Sequence, residues 1–212
     1  MMSKLFTKGV FITFEGGEGT GKSTQAKILY DYFMSNNIKP VLTREPGGCE
    51  EAEIIRNLLI KGSIDKWDNI TEALLHNAAR REHVKKIIKP SLLKNKIVIC
   101  DRYVDSTMAY QGAGQKVNQK FLRDLIKEVT ENITPDLTFI FDMDVKTSLI
   151  RAKKRDNINN RYERFDNDFH EKIRKYFLNL KNKNKRYVII NASDTIENIS
   201  KVILNKLNKI IT

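Results

Sequence analysis

V-F-I-T-F-E-G-G-E-G-T-G-K-S-T, residues 10–24, decides the fold. Its first half is an apolar run of strand length, and its second half matches G-x-x-x-x-G-K-[ST] from Gly16 through Gly21, Lys22 and Ser23. Glycines let backbone N–H groups close around an anion, the lysine reaches the outer phosphates, and the hydroxyl after it ligates Mg²⁺. Beyond the loop, Ile28, Leu29, Tyr32 and Phe33 recur at helical spacing. A strand, a glycine loop and a helix N-terminus in that order cradle an anion, because the helix dipole adds to the N–H groups of the loop. Gly16, Gly17, Glu18, Gly19, Thr20, Gly21, Lys22, Ser23 and Thr24 are therefore expected to hold a nucleoside triphosphate such as ATP.

Outward from this unit, short apolar segments alternate with longer stretches of helical periodicity, which predicts βαβ units and a parallel sheet. Strands are expected over 10–15, 40–43, 96–101, 136–142 and 186–191, with helices over 21–36, 49–61, 70–95, 118–131, 145–157 and 162–183. A last helix is expected from Asp194, with Glu197 as its capping partner and Ile196, Ile199, Ile203 and Ile210 on one face. There is no internal repeat and no long linker, so residues 1–212 are expected to form one α/β domain.

Lysine and arginine number 38 against 26 acids, a net charge of +12. The basic residues are spread along the chain with no aromatic-interleaved patch, a pattern that favours small anionic ligands over nucleic acid as partner. No apolar run approaches the roughly 20 residues that span a bilayer. The opening M-M-S-K-L-F-T-K-G has too short an apolar stretch for a signal peptide, and a cytoplasmic protein is expected. Cys49 and Cys100 lack C-x-x-C spacing, so neither a zinc site nor a disulfide framework is indicated.

In open parallel sheets ligands bind beyond the carboxyl ends of the strands. Those ends carry Glu15 and Gly16, then Arg44 and Glu45, then Asp101 and Arg102. Asp101 follows Ile97-Val98-Ile99-Cys100 and presents a carboxylate either to Mg²⁺ or to the next helix as a cap. Arg102 is suited to a bidentate grip on phosphate. Ala73, Asn77, Arg80, Val84 and Ile87 share one helix stripe, which puts Arg80 on a partly apolar face. Its guanidinium needs either an anionic ligand or an internal carboxylate. His76 lies one turn earlier. Arg151, Lys153, Lys154, Arg155, Arg161 and Arg164 surround D-N-I-N-N at 156–160 and read either as a solvated face or as an arginine-bearing lid over 151–164.

These parts point to a small phosphotransferase. A hydroxyl acceptor needs a base, for which Glu45 is placed, whereas a monophosphate acceptor is already ionised and needs cations, for which Arg80 and Arg102 are placed. No N/T-K-x-D segment for reading guanine occurs.

Beside the loop, the chain carries T-R-E-P-G-G, L-L-H-N-A-A-R, D-R-Y-V-D-S-T-M-A-Y-Q-G, P-D-L-T-F-I-F-D and a late R-x-E. With these it resembles the bacterial-type thymidylate kinases over nearly its whole length, most specifically at 101–112. The resemblance implies a P-loop kinase fold with a five-stranded parallel sheet, transfer of the γ-phosphoryl group of ATP to dTMP, Mg²⁺, and a homodimer. It implies Lys22 at the transferring phosphate, Ser23 and Asp101 at the metal, and Glu18 near the acceptor 3′-hydroxyl. It further implies Arg80 at thymine, Arg102 on the acceptor phosphate, Thr107 and Gln111 near the base, and Tyr110 where a 2′-hydroxyl would sit. Glu45 precedes Pro46 on the acceptor side, where the family often has a cis peptide. His76 stands where the family carries a phenylalanine that stacks on thymine, so phenylalanine there is expected to tighten dTMP if stacking limits binding. Asn160 replaces a common aspartate. Because residues 18–20 include no arginine, the resemblance implies a catalytic arginine from the lid, Arg155 or Arg161. Two other readings remain, a deoxynucleoside kinase with Glu45 as base and a basic P-loop ATPase that binds nucleic acid.

Overall fold

The computed structural model describes residues 8–154 and 161–211. Strand β1 (Val10–Gly16) is buried at every position, as a central parallel strand covered by helices on both faces must be. It pairs in parallel with β3 (Ile97–Asp101) on one side and β4 (Leu137–Asp142) on the other. β2 (Val41–Arg44) adds to β3, and β5 (Tyr187–Asn191) adds to β4. The order is β2-β3-β1-β4-β5, so the chain switches direction across the sheet at β1, where the crevice for a ligand opens. The strand expectations are met to within a residue at each end.

Helix α1 (Lys22–Ser35) and α9 (Ile196–Ile211) cover one face of the sheet, where Ile12, Phe14, Leu29, Phe33, Phe139, Ile199 and Ile203 share a core. On the other face Phe11, Val98 and Cys100 pack with Tyr103, and Ile140 packs with Ile173 and Phe177 of α8 (Asn167–Leu180). The remaining helices are α2 (Glu50–Ile60), α3 (Asn69–His83), α4 (Lys89–Leu93), α5 (Val104–Thr107), α6 (Gln119–Thr130) and α7 (Val145–Lys153). No helix among the described residues is long and apolar enough to cross a membrane.

Several expectations change. The helix expected over 70–95 widens into a π-turn at Val84–Ile88 before α4. Pro90 has no N–H for the carbonyl one turn back, and a wider turn upstream accommodates its ring. The segment after Arg102, left without an element above, is helical through α5 and a π-turn at Met108–Gly114. Its buried positions include Asp105, Thr107 and Gln111, so it shows no apolar stripe. The helix expected over 162–183 is a 3-10 turn, Arg161–Arg164, followed by α8, because Asp166 caps α8 through Phe169 N–H at 2.8 Å. At the C-terminus Thr195, not Asp194, caps α9, accepting from Asn198 N–H at 3.2 Å. Ile196 is exposed, Ile199 and Ile203 are buried, and the side chain of Ile210 lies outside the described residues.

Candidate active site

The phosphate loop is shaped by close backbone approach. Gly19 has φ +70°, and a Cβ there would lie 1.9 Å from the Ser148 carbonyl of α7. At Gly16, with φ +137°, it would lie 2.5 Å from the Phe141 carbonyl of β4. Only glycine fits at either position. Helix α1 begins behind Gly21 with no side-chain cap and no acid in its first turn, which leaves its N–H groups for a ligand. Lys22 is buried and folds back to donate to the Gly17 carbonyl and, at 3.3 Å, to Thr20 Oγ1. Burial, helped by the nearby Arg102, lowers its pKa to about 8 against the pull of Glu18 and Asp101. Thr24 is exposed.

Asp101 at the tip of β3 accepts from Ser23 Oγ through Oδ2, while its Oδ1 is buried with no hydrogen-bond partner. It does not cap α5, whose N-cap position is Tyr103. An orphaned carboxylate oxygen beside a hydroxyl is an oxygen donor set that fits Mg²⁺, which protein carboxylates share with substrate phosphates. No group of three or more His, Cys, Asp and Glu gathers as a closed metal cage among the described residues.

Arg102 occupies the left-handed region at φ +70°, an unfavourable conformation for a residue other than glycine that neighbouring contacts hold in place. Its N–H donates to Phe14 O at 2.9 Å. Nη1 donates to Gly16 O at 2.9 Å and Ser106 Oγ at 3.1 Å, and Nη2 donates to Glu18 Oε1 at 2.9 Å. Beneath it, Glu15 accepts from Tyr103 N–H at 2.8 Å and Ser106 Oγ at 2.6 Å. Burial, with Asp105 adding to it, pushes the Glu15 carboxyl up to about 8. Tyr110 donates to Glu18 Oε1 at 3.0 Å and lies with its ring 5.1 Å from the Arg102 guanidinium. Burial of Glu18 is outweighed by Arg102 and Lys22, which hold its carboxyl at about 2.

Arg80 resolves the choice left open above: it has an internal carboxylate and also lines the cleft. Its Nε donates to Glu45 Oε2 at 2.7 Å, Nη1 to Asn77 Oδ1 and Thr107 Oγ1 at 3.0 Å each, and Nη2 to Tyr103 O at 3.1 Å. The other Glu45 oxygen hydrogen-bonds His83 Nδ1 at 3.0 Å. Burial of Glu45 is outweighed by Arg80 and His83, which lower its pKa. A carboxylate engaged at both oxygens and made less basic is a poor proton acceptor. The Glu45–Pro46 peptide is cis.

His76 lines the same cleft with Tyr162, and its Nε2 is 2.8 Å from the Tyr162 hydroxyl. Gln111 Nε2 donates to Glu72 at 2.8 Å. Arg161 does not stand at the surface of a lid. It is fully buried, donating from Nε to Leu59 O at 2.6 Å, from Nη1 to Ile64 O at 3.0 Å, and from Nη2 to Glu72 and, at 3.1 Å, to the Tyr162 hydroxyl. A guanidinium so occupied ties the chain to α2 and α3 and does not reach the phosphate loop. Arg155 lies outside the described residues.

Arg44, named above as a strand end, lines the cleft, as do Arg56, Ser106 and Tyr162, which were not singled out in the sequence. Arg56 shares a helix stripe with buried Ala52 and Leu59, the same signal that marks Arg80. Tyr162 and Ser106 carry no periodic signal, because a 3-10 turn places the first and the four-residue helix α5 the second.

The thymidylate kinase family pattern matches residues 14–203. A thymidylate kinase of Wolbachia pipientis wMel is 51% identical over 172 residues, which span 79% of this chain and 83% of that protein. One from Magnetococcus marinus is 40% identical over 197 residues, 92% of this chain and 94% of its own. The crystal structure of thymidylate kinase from Ehrlichia chaffeensis superposes with a TM-score of 0.75 at 38% identity, covering 94% of this chain and 99% of that one. The parallel sheet order, the phosphate loop and the match over most of the chain agree, and the chain belongs to the thymidylate kinase family.

Proposed function

We propose that the chain transfers the γ-phosphoryl group of ATP to dTMP, giving dTDP and ADP, and that the residues of the cleft divide into a donor and an acceptor set. The observation that carries this reading is the position of Arg102, which stands beside the phosphate loop with its fork directed at Gly16 and Glu18. The loop and Lys22 take the donor triphosphate. Arg102 takes the acceptor phosphate, Arg80 and Thr107 lie toward the base with Gln111, and Tyr110 packs against a sugar lacking a 2′-hydroxyl.

A phosphate monoester has its second pKa near 6, so the acceptor oxygen arrives ionised and needs no base. A bond forms between that oxygen and the γ-phosphorus as the bond to the ADP oxygen breaks, and no proton has to move. The chain's own part is to bring two anions together, which Lys22, Arg102 and the loop N–H groups do. Ser23 and Asp101 would hold Mg²⁺, which supplies charge neutralisation on the donor phosphates. Of the two lid arginines, Arg155 remains for the moving group, since all three nitrogens of Arg161 are engaged inside the protein. The engaged state of Glu45 weighs against a nucleoside hydroxyl as acceptor.

A homodimer through α2 and α3 is supported by exposed apolar pairs one turn apart, Ile54 with Leu58 and Ile70 with Leu74. We place the protein in the cytoplasm, where its nucleotides are. The test is ADP release from Mg·ATP by purified protein with dTMP or thymidine added. Release with dTMP alone is expected, and release with thymidine alone would reject the assignment.

A further inference from the structure

His76 on α3 and Tyr162 on the turn that leads into α8 meet at the acceptor end of the cleft. The proton inventory of the phenol fixes the direction of their bond. A phenol has one hydrogen and two lone pairs. Tyr162 hydrogen-bonds the Glu72 side chain, and a carboxylate paired with arginine only accepts, so the phenol hydrogen goes there. Arg161 Nη2, which only donates, occupies one lone pair at 3.1 Å. The remaining lone pair can only accept, so the imidazole donates to it through Nε2–H. Glu72 is itself fixed by Gln111 and Gln115, each at 2.8 Å. Burial, with Arg80 and Arg161 adding to it, lowers the His76 pKa to about 3, so the ring stays neutral and the donor tautomer persists near neutral pH.

We propose that His76 is a positioning residue of the acceptor site, whose Nε2–H holds Tyr162 in the cleft wall against Tyr110. The Tyr162 ring meets Tyr110 edge-on at 5.8 Å and 85°, so its placement sets the shape of that wall. This rests on reading the cleft as the dTMP site. It reverses the expectation from stacking: position 76 acts here through its donor edge, and a phenylalanine keeps the flat ring while losing the bond.

Four variants separate donor from ring: H76F keeps a ring without a donor, H76Q keeps an amide donor at similar reach without a ring, and Y162F and H76F/Y162F complete a cycle. Loss of one hydrogen bond predicts that H76F raises KM for dTMP about 3- to 10-fold, with kcat and KM for ATP unchanged. H76Q stays close to wild type, and H76F has no further effect in the Y162F background. A lower or unchanged KM in H76F, or an equal H76F effect with and without the Tyr162 hydroxyl, overturns the proposal. Nitrogen-15 NMR of the ligand-free protein tests the bond apart from any activity. A protonated Nε2 that shifts in Y162F is expected, and a protonated Nδ1 with bare Nε2 refutes it. If wild type left dTMP untouched while the NMR result held, the functional reading would fail and the bond would stand.

Discussion

Replacing Arg161 by methionine separates an anchor from a catalytic cation. Arg161 and Glu72 are both fully buried, and the guanidinium spends all three nitrogens on Leu59 O, Ile64 O, the Tyr162 hydroxyl and Glu72. In R161M the Glu72 carboxylate keeps only neutral donors, from Gln111, Gln115 and Tyr162. Removing one partner of a buried pair costs about 3–5 kcal/mol, because the other charge is left uncompensated. For a domain of this size each kcal/mol moves Tm by roughly 2–4 °C, so R161M should melt about 6–20 °C below wild type. Thermal denaturation followed by circular dichroism measures this. Kinetics at low temperature, where the variant is folded, should show kcat within about tenfold of wild type. Adding E72Q removes the stranded charge and should recover part of the lost stability. A variant that melts with wild type yet loses transfer a hundredfold or more would refute the anchor and return Arg161 to the reacting phosphoryl.

Lys22 has a lowered pKa of about 8 in the free protein, and bound phosphates restore its charge. ATP affinity should therefore be full below pH 8 and weaken as pH rises above it, with proton uptake on binding. Calorimetry in buffers of different ionisation enthalpy measures that uptake, and K22R should abolish it. Arg102→Ala removes the charge-assisted grip proposed for the acceptor phosphate, worth about 1.5–3 kcal/mol, so steady-state kinetics should show KM for dTMP raised roughly 10- to 100-fold and KM for ATP little changed. Glu18 has a folded pKa of about 2 against an ordinary 4.5. Its contribution to stability is complete above pH 4.5 and lost as pH falls toward 2. Urea titrations across that window should show a shallower acid loss in E18Q.

The sheet was legible because four of five short apolar runs ended at charged or glycine-rich tips and the fifth at Asn191, and buried parallel strands need little beyond that. The helices were less so where polar residues are buried. Asp105 is hidden by its contact to Arg186 at 2.9 Å, and Gln111 by Glu72, so the segment behind β3 gives no apolar stripe. In the site, the loop, Asp101 and Arg102 follow from chain order alone, since they stand at neighbouring strand tips. The burial of Arg161 was not legible for the converse reason. A buried guanidinium and a mobile one read alike in a basic run, and the carboxylate that fixes this one is 89 residues away in sequence. Its partner Glu72 sits on α3 against Gln111 and Gln115, and no local pattern ties it to residue 161.

Phosphorus NMR of the reaction of purified protein with Mg·ATP and dTMP reports the destination of the γ-phosphoryl group directly. The account predicts loss of the γ and β signals of ATP and growth of two coupled doublets from dTDP beside those of ADP, with thymidine unreactive in a parallel sample. Growth of inorganic phosphate with the dTMP singlet unchanged, or conversion of thymidine to dTMP, would contradict it.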